Sequence, residues 1–233
     1  MFTVALPAPV FATNCYIIAS GPGEDCLVVD PGIGVEQAVM EVLAEHRLRP
    51  AAVLLTHGHL DHVYSVTPVC GGSAAAFIHG DDRYRLRSPL TEYNPAMIAM
   101  IEQQFGAKAT WREPEQIVEV HDHERLTLAG FDVDVIHAPG HTEGSVMFAI
   151  PGLPDGLQAD EELTSTLLTG DVVFAGSIGR TDLAGGDHAA MQTSLRTKVL
   201  PLPDSTLLLT GHGPASTMRR ERATNPYLQG LDR

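Results

Sequence analysis

Apolar and polar positions along the chain follow two different periods. Short apolar runs rich in β-branched residues predict eight strands, over residues 13–19, 26–29, 51–55, 75–78, 133–136, 145–150, 165–168 and 206–209. Apolar residues that recur every three or four positions predict helices over residues 35–45, 94–105 and 189–199. Because strands and helices are mixed, with the first two strands joined as a hairpin, the pattern predicts a layered α/β or α+β fold.

The composition favours one globular domain. The 233 residues are 44% hydrophobic, enough to bury a core, and no repeat or charged or glycine-rich linker divides them. We therefore predict a single domain over residues 1–233. The three cysteines lack a CxxC spacing, which argues against a disulfide framework and favours a reducing, cytoplasmic setting.

The sequence also excludes several classes of partner. The apolar N-terminus lacks the basic region of a signal peptide, and no uninterrupted apolar run of about 18 residues occurs, so we expect no membrane association. The net charge of −14 opposes binding to nucleic acid, which draws on basic patches. We expect a small-molecule partner, and the sequence leaves a monomer and a homodimer equally open.

Four metal-capable side chains crowd the segment after the predicted strand over residues 51–55. They are His57, His59, Asp61 and His62. In an extended loop, His57 and His59 point to the same side, so that two imidazoles can bind one cation. Asp61 and His62 lie past the turn and can face a second cation, while Gly58 permits the backbone to approach the metals.

Three later loops supply further candidate ligands, namely His141, Asp171 and His212. Each lies on a glycine-containing loop after an apolar run, which predicts that the loops converge at one edge of a sheet. The resulting arrangement has two sets of three ligands with Asp171 bridging them. The first set is His57, His59 and His141, and the second is Asp61, His62 and His212.

These residues resemble the signature of the metallo-β-lactamase superfamily. Its H-x-H-x-D-H motif matches residues 57–62, and its later ligands match His141, Asp171 and His212. The resemblance extends over nearly the whole chain and implies a single-domain, four-layer αβ/βα sandwich with metals at one edge of two packed sheets. Within the superfamily, residues 176–183 are similar to a stretch of short bacterial proteins of the glyoxalase II-like (hydroxyacylglutathione hydrolase-like) branch.

The resemblance implies a binuclear metallo-hydrolase that cleaves a thioester. Two divalent cations are expected per chain, with zinc as the default and iron or manganese also compatible with histidine and carboxylate ligands. Two cations would lower the pKa of a bridging water. Asp61 is the candidate catalytic residue, because it can orient the resulting hydroxide or accept its proton besides acting as a ligand. The predicted substrate is an acyl-thiol conjugate, such as an S-2-hydroxyacyl thioester, whose thiolate leaves readily.

Two more residues are candidate supports for this site. Asp30 either accepts a hydrogen bond from a ligand histidine or caps a turn before the helix over residues 35–45, and both readings are open. Arg180 is a candidate for contact with the substrate or with a ligand.

Other polar residues are expected to lie outside the site. We predict that Arg83, Arg85 and Arg87 form a solvated helix face rather than a dock for an acidic substrate. His121 and His123 are predicted to be exposed turn residues, and His79 and His137 to be structural.

The alternatives differ in chemistry. An iron-dependent persulfide dioxygenase resembles this branch, including residues 179–182, but uses one iron. A lactonase or a nuclease of the superfamily is also possible, although the acidic charge opposes the nuclease. Only residues 213–233 follow His212. We therefore expect no separate C-terminal glutathione-binding domain, and the thiol stays unnamed.

Overall fold

Two six-stranded β-sheets face each other in the structure, a computed structural model that describes residues 1–92, 94–105, 109–157 and 162–231. The first sheet has antiparallel pairing among its first three strands and parallel pairing among the rest. Its strands, in spatial order, are β1 (Phe2–Pro7), β2 (Asn14–Ala19), β3 (Asp25–Val29), β4 (Arg49–Leu54), β5 (Ala75–His79) and β6 (Ile117–Val120).

The strands of the second sheet are β7 (Arg125–Leu128), β8 (Phe131–His137), β9 (Val146–Pro151), β10 (Ser165–Gly170), β13 (Thr206–Thr210) and β14 (Ser216–Thr217). Their spatial order is β14-β13-β10-β9-β8-β7, and β10 and β13 are parallel. A separate two-stranded hairpin consists of β11 (Val173–Phe174) and β12 (Ser177–Ile178).

Helices flank the sheets. The α-helices are α1 (Glu36–His46), α2 (Leu60–Val63), α3 (Val66–Cys70), α4 (Pro95–Phe105), α5 (His188–Ser194) and α6 (Met218–Thr224). The 3-10 helices are Gly80–Arg87 and Pro89–Glu92, and a π-helical segment, Leu195–Val199, continues α5.

Strand alternation produces the layers. In β2, Ile17 packs with the cluster that includes Val39 of α1, whereas Ile18 packs between the two sheets with Phe148 of β9. A third cluster joins the outer face of the second sheet to Met191 of α5. Since neighbouring residues of a strand point to opposite faces, each sheet buries one face against its partner and the other against helices. The predicted four-layer αβ/βα sandwich is confirmed.

All eight predicted strands and all three predicted helices are present, each within about two residues of the predicted bounds. The pattern missed β1, β6, β7, β11, β12 and β14. The first three consist mostly of exposed or half-buried positions, and the last three have two residues each. None of the described helices combines the length and the apolar composition that crossing a bilayer would require.

Candidate metal centre

Loops at the ends of four strands meet at one edge of the sandwich, as predicted. The loop after β4 carries residues 57–62, the β8–β9 connection carries His141, and Asp171 and His212 follow β10 and β13. All seven predicted ligands are buried except His212, whose side chain is 27% exposed. The structure therefore brings together the complete predicted set.

The first set of candidate ligands is held around His141. Its Nε2 lies 2.9 Å from His59 Nδ1 and 3.2 Å from His57 Nε2. His141 Nδ1 donates to the carbonyl oxygen of Arg180 at 2.7 Å, and a carbonyl oxygen can only accept. In the neutral ring, His141 Nε2 therefore directs a lone pair at the same point as the other two nitrogens, a donor arrangement that fits one cation.

The second set is His62, His212 and Asp61. His62 Nε2 lies 3.2 Å from His212 Nε2, and Asp61 Oδ2 lies 3.6 and 3.3 Å from these two nitrogens. His212 Nδ1 donates to the carbonyl oxygen of Phe11 at 3.0 Å, so its Nε2 is also unprotonated in the neutral ring. The Thr13 hydroxyl donates to Asp61 Oδ2 at 3.1 Å and fixes that carboxylate.

Asp171 faces both sets. Its Oδ1 lies 3.4 Å from His62 Nε2, and its Oδ2 lies 3.5 Å from both His141 Nε2 and His212 Nε2. Oδ1 is buried and has no hydrogen-bond partner among the described residues. A buried, ionised oxygen without a partner is costly unless a cation compensates it. The donor set therefore fits divalent cations, with Asp171 close to both sets of candidate ligands.

Two glycines are required next to Asp171. A Cβ at Gly211 would lie 2.2 Å from Asp171 Oδ1, and a Cβ at Gly170 would lie 2.4 Å from Thr56 Oγ1. Gly170 also has a φ of +47°. Gly58 was predicted to let the backbone approach the metals, but it instead makes room for Arg85. A Cβ at position 58 would lie 2.7 Å from the Cβ of Arg85.

Asp30 orients two of the histidines. Its Oδ2 lies 3.0 Å from His62 Nδ1 and accepts the Thr56 hydroxyl at 2.6 Å, and its Oδ1 accepts the Thr56 N–H at 2.8 Å. Because the Thr56 hydroxyl proton goes to Asp30, Thr56 Oγ1 accepts from His57 Nδ1 at 3.1 Å. Both rings thus turn Nε2 to the centre, and of the two readings of Asp30 the structure favours the ligand-orienting one.

The buried carboxylates and imidazoles shift each other's pKa values. Burial, helped by nearby histidines, lowers the pKa of His57 well below its usual value and that of His59 to about 2. Burial also acts to lower the pKa of His62, but Asp171, Asp61 and Asp30 raise it to about 10. The surroundings of His62 therefore favour a positive charge there, as a site for cations requires.

A buried carboxylate that the sequence did not indicate joins the two ligand loops. Asp82, in the 3-10 helix after β5, accepts the N–H groups of Gly58 at 2.8 Å and Gly144 at 2.9 Å, and the Thr142 hydroxyl at 2.8 Å. It also accepts Arg85 Nε at 3.3 Å. Asp82 is fully buried, so it fixes the loop of residues 57–62 against that of His141.

The predicted solvated face of arginines is wrong for Arg85. This side chain is 1% exposed and donates from Nη2 to Glu143 Oε2 at 2.8 Å and to the Ala184 carbonyl at 3.0 Å. The partners of Arg85 lie on distant loops, so the spacing of polar and apolar residues around it gave no sign that it is buried. Arg87 is exposed and Arg83 pairs with Glu113, so these two fit the prediction better.

A cavity of about 620 Å³ opens onto the centre. Apart from candidate ligands, its lining is mostly apolar: Phe11, Met97, Phe174, Ile178, Leu183 and Ala184. Arg180 also lines it, with its side chain paired to Asp182 at 2.7 and 2.8 Å. Arg180 thus lines the cavity and contacts the candidate ligand His141 through its carbonyl oxygen, while its contact with a substrate stays a prediction.

Four further histidines are predicted to lie outside the site. His121 and His123 are exposed in the turn between β6 and β7, as predicted. His79 and His137 stack on each other with ring centroids 3.9 Å apart, outside the cavity lining.

Comparison with known proteins places these residues in a family context. The family described as the metallo-beta-lactamase superfamily matches residues 8–212. An uncharacterized protein of Mycobacterium tuberculosis is 41% identical over the full length of both chains. A protein of Haemophilus influenzae named hydroxyacylglutathione hydrolase GloC is 31% identical, over 96% of each chain.

A solved structure adds information on metals. The protein described as TTHA1623 in a di-iron-bound form is similar with a TM-score of 0.71 and 31% identity. The match covers 97% of this chain and all of the other. That protein holds two iron ions according to its description.

Proposed function

The chain belongs to the metallo-beta-lactamase superfamily, and on this basis we propose that it is a binuclear metallo-hydrolase that cleaves acyl thioesters. The superfamily and the clustered histidines and aspartates support a metal-dependent enzyme. The named activity of the similar Haemophilus influenzae protein supports the thioester. Zinc remains the default metal, and the di-iron relative favours testing iron equally.

The main support for a thioester substrate is that the cavity lining offers few side chains that could protonate a leaving group. Among its described lining residues, Arg180 is the one titratable side chain outside the seven candidate ligands. A guanidinium has a pKa above 12 and does not protonate a leaving group. An amide or alkoxide leaving group needs a general acid, whereas a thiol with a pKa of about 8.5 departs as the thiolate. The site therefore suits thioesters best.

Different residues of the chain would activate the water and bind the substrate. Bound cations would lower the pKa of a coordinated water and polarise the acyl carbonyl. Asp61 lines the cavity and is held by Thr13, so its carboxylate can orient the attacking water and accept its proton. The apolar wall of Phe11, Phe174 and Ile178 packs against the acyl or thiol part and excludes water.

A panel of substrates tests the proposal. Purified protein of measured metal content is incubated with S-lactoyl and S-acetyl thioesters of glutathione, coenzyme A and a small thiol, and with lactones, a β-lactam and glutathione persulfide. We expect thiol release from at least one thioester, its loss after chelation, and its recovery with Zn²⁺, Mn²⁺ or Fe²⁺.

Each competing chemistry has its own signature. Oxygen consumption with the persulfide and one iron per chain would replace the hydrolase by a dioxygenase. Turnover confined to lactones or the β-lactam would retain the metal centre and refute the thioester. Thiol release that survives complete metal removal would contradict the whole assignment.

The hairpin of β11 and β12, which contributes Phe174 and Ile178 to the cavity lining, leads to a prediction about substrate binding. Fully buried Glu221 in α6 accepts the Gly176 N–H at 2.7 Å at the hairpin turn, and Asn225 donates to the Ser177 carbonyl at 3.0 Å and to Glu221 Oε2 at 2.9 Å. For Glu221→Gln we expect kcat/KM to fall by up to about 10²-fold, because a misplaced hairpin misorients substrate. Steady-state kinetics with the active thioester measures this.

The metal content of the Glu221→Gln variant should stay equal to that of the wild type, since Glu221 contacts none of the candidate ligands. The exposed Glu45→Gln in α1 is the matched control and should leave kinetics unchanged. A loss of metal in Glu221→Gln would show that the hairpin acts on the centre and not on the substrate.

A further inference from the structure

A second group of metal-capable side chains lies on the sandwich surface, away from the cavity. His79 ends β5 of the first sheet, and His137 ends β8 of the second. One ligand atom from each, together with a carboxylate oxygen of Asp81, falls within 4.8 Å of the others. His121, which follows β6, lies next to them with its ring centroid 6.2 Å from that of His79.

The hydrogen bonds define which nitrogens carry lone pairs. His137 Nε2 lies 2.8 Å from the Glu143 carbonyl oxygen, which only accepts, so Nε2 carries the proton and Nδ1 does not. The Asp81 N–H donates to His79 Nδ1 at 3.3 Å, so this nitrogen is unprotonated too. Both rings therefore present an unprotonated Nδ1 in their neutral form.

We propose that His79, Asp81 and His137 form a further cation site, separate from the binuclear centre, for a divalent ion that favours imidazole, such as Zn²⁺ or Cu²⁺. Two imidazoles and one carboxylate are a ligand set of this class of ion. His79 Nδ1 and Asp81 Oδ2 are 3.7 Å apart, close to the separation of about 3.4 Å that two ligands at about 2.1 Å adopt on a tetrahedral ion. Rotation of the partly exposed His137 ring from its stacked position supplies the third ligand, and water completes the coordination.

The position of the site gives it a structural consequence. Its two histidine ligands come from β5 and β8, so a bound ion crosslinks the two sheets. In the structure His79 Nδ1 caps the 3-10 helix Gly80–Arg87 and His137 Nε2 binds the Glu143 carbonyl, so an ion would replace the first hydrogen bond and rotation of His137 the second. The crosslink between the sheets is expected to outweigh these two losses, so that the ion stabilises the folded state by binding it in preference to the unfolded chain.

The burial of His79 supports the neutral, ligating form. Its side chain is 9% exposed. Burial lowers the pKa of His79, and the neighbouring His137 and His121 lower it further against the opposing effect of Asp81 and Asp82.

Zn²⁺ titration tests the site independently of any substrate. The protein is loaded with two equivalents of Zn²⁺, dialysed, and titrated with further Zn²⁺ by calorimetry, with thermal unfolding recorded in parallel. We expect one additional, weaker equivalent and a rise in Tm at saturation. His137→Gln and Asp81→Asn should each abolish this equivalent and the rise in Tm, while the first two equivalents and the basal Tm stay unchanged.

His188→Gln, a change in an exposed histidine at the start of α5, is the matched control and should retain the additional equivalent. Absence of the equivalent in the wild type, or its persistence in both cluster variants, would overturn the proposal. Neither result bears on the binuclear centre, because that centre is read from the first two equivalents and from thioester turnover.

Discussion

Replacement of Asp171 with asparagine is expected to lower kcat/KM for thioester hydrolysis by about 10²- to 10³-fold or more, a loss typical of removing one group that stabilises developing charge. Asp171 offers one oxygen to His62 and the other to His141 and His212, at 3.4 to 3.5 Å. Asparagine keeps the shape but replaces one anionic oxygen with an NH₂ group that cannot bind a cation.

Metal analysis distinguishes a loss of activity caused by lost metal from one caused by misfolding of the variant. For the proposed binuclear centre, we expect the metal content of Asp171→Asn to fall from two ions per chain to one or fewer, because Asp171 would be the carboxylate that both ions share. Asp132→Asn, an exposed aspartate that accepts the Thr127 hydroxyl at 3.0 Å, is the matched control and should change neither quantity. Full turnover with two bound ions in Asp171→Asn would refute the bridging role.

Much of the fold was predictable because its strands are buried on both faces. The runs that became β4, β9, β10 and β13 are nearly continuous apolar segments, which a sandwich with helices outside both sheets requires. The candidate ligands were predictable for a related reason. Residues 57–62, Asp171 and His212 follow such strands, whereas His141 follows β8, in which apolar residues alternate with acidic ones. In both cases the hydrophobic pattern located the sheet edge at which the histidines and aspartates meet.

The supports of the site were much harder to predict. Asp82 and Arg85 are three residues apart, a spacing that exposed helical ion pairs share, whereas the loops to which they bind lie 24 to 99 residues away in the sequence. Thr13 and Glu221 escaped notice for the same reason. The local sequence pattern identifies residues through their neighbours in the chain. The residues that hold the ligands in place are determined by tertiary packing between distant segments.

Asp82 provides the second large prediction. For Asp82→Ala we expect the free energy of unfolding to fall by about 3 kcal/mol, the low end of the usual cost of removing one partner of a buried ion pair. Arg85 is the other partner, and it is 1% exposed. The low end is expected because Arg85 keeps a second carboxylate, Glu143, whose side chain is 46% exposed. Denaturant unfolding of the metal-loaded protein measures the change. Glu113→Ala, which breaks the partly exposed pair with Arg83, is the control and should cost about 1 kcal/mol or less.

Affinity for metal should fall in the same Asp82→Ala variant. The lost carboxylate leaves the N–H groups of Gly58 and Gly144 without their acceptor, so the two ligand loops lose their common anchor. Groups that orient metal ligands typically contribute about 10- to 100-fold to affinity. Competition with a chromophoric chelator measures this quantity without reference to any substrate.

A double variant distinguishes positioning from stability. In Asp82→Ala/Arg85→Met the buried charge is gone, so we expect much of the unfolding free energy to return, as it does when a buried pair is replaced by apolar side chains. The N–H groups of Gly58 and Gly144 still lack their acceptor, and metal affinity should therefore remain low. Recovery of both quantities together would mean that Asp82 serves the centre only by keeping the chain folded.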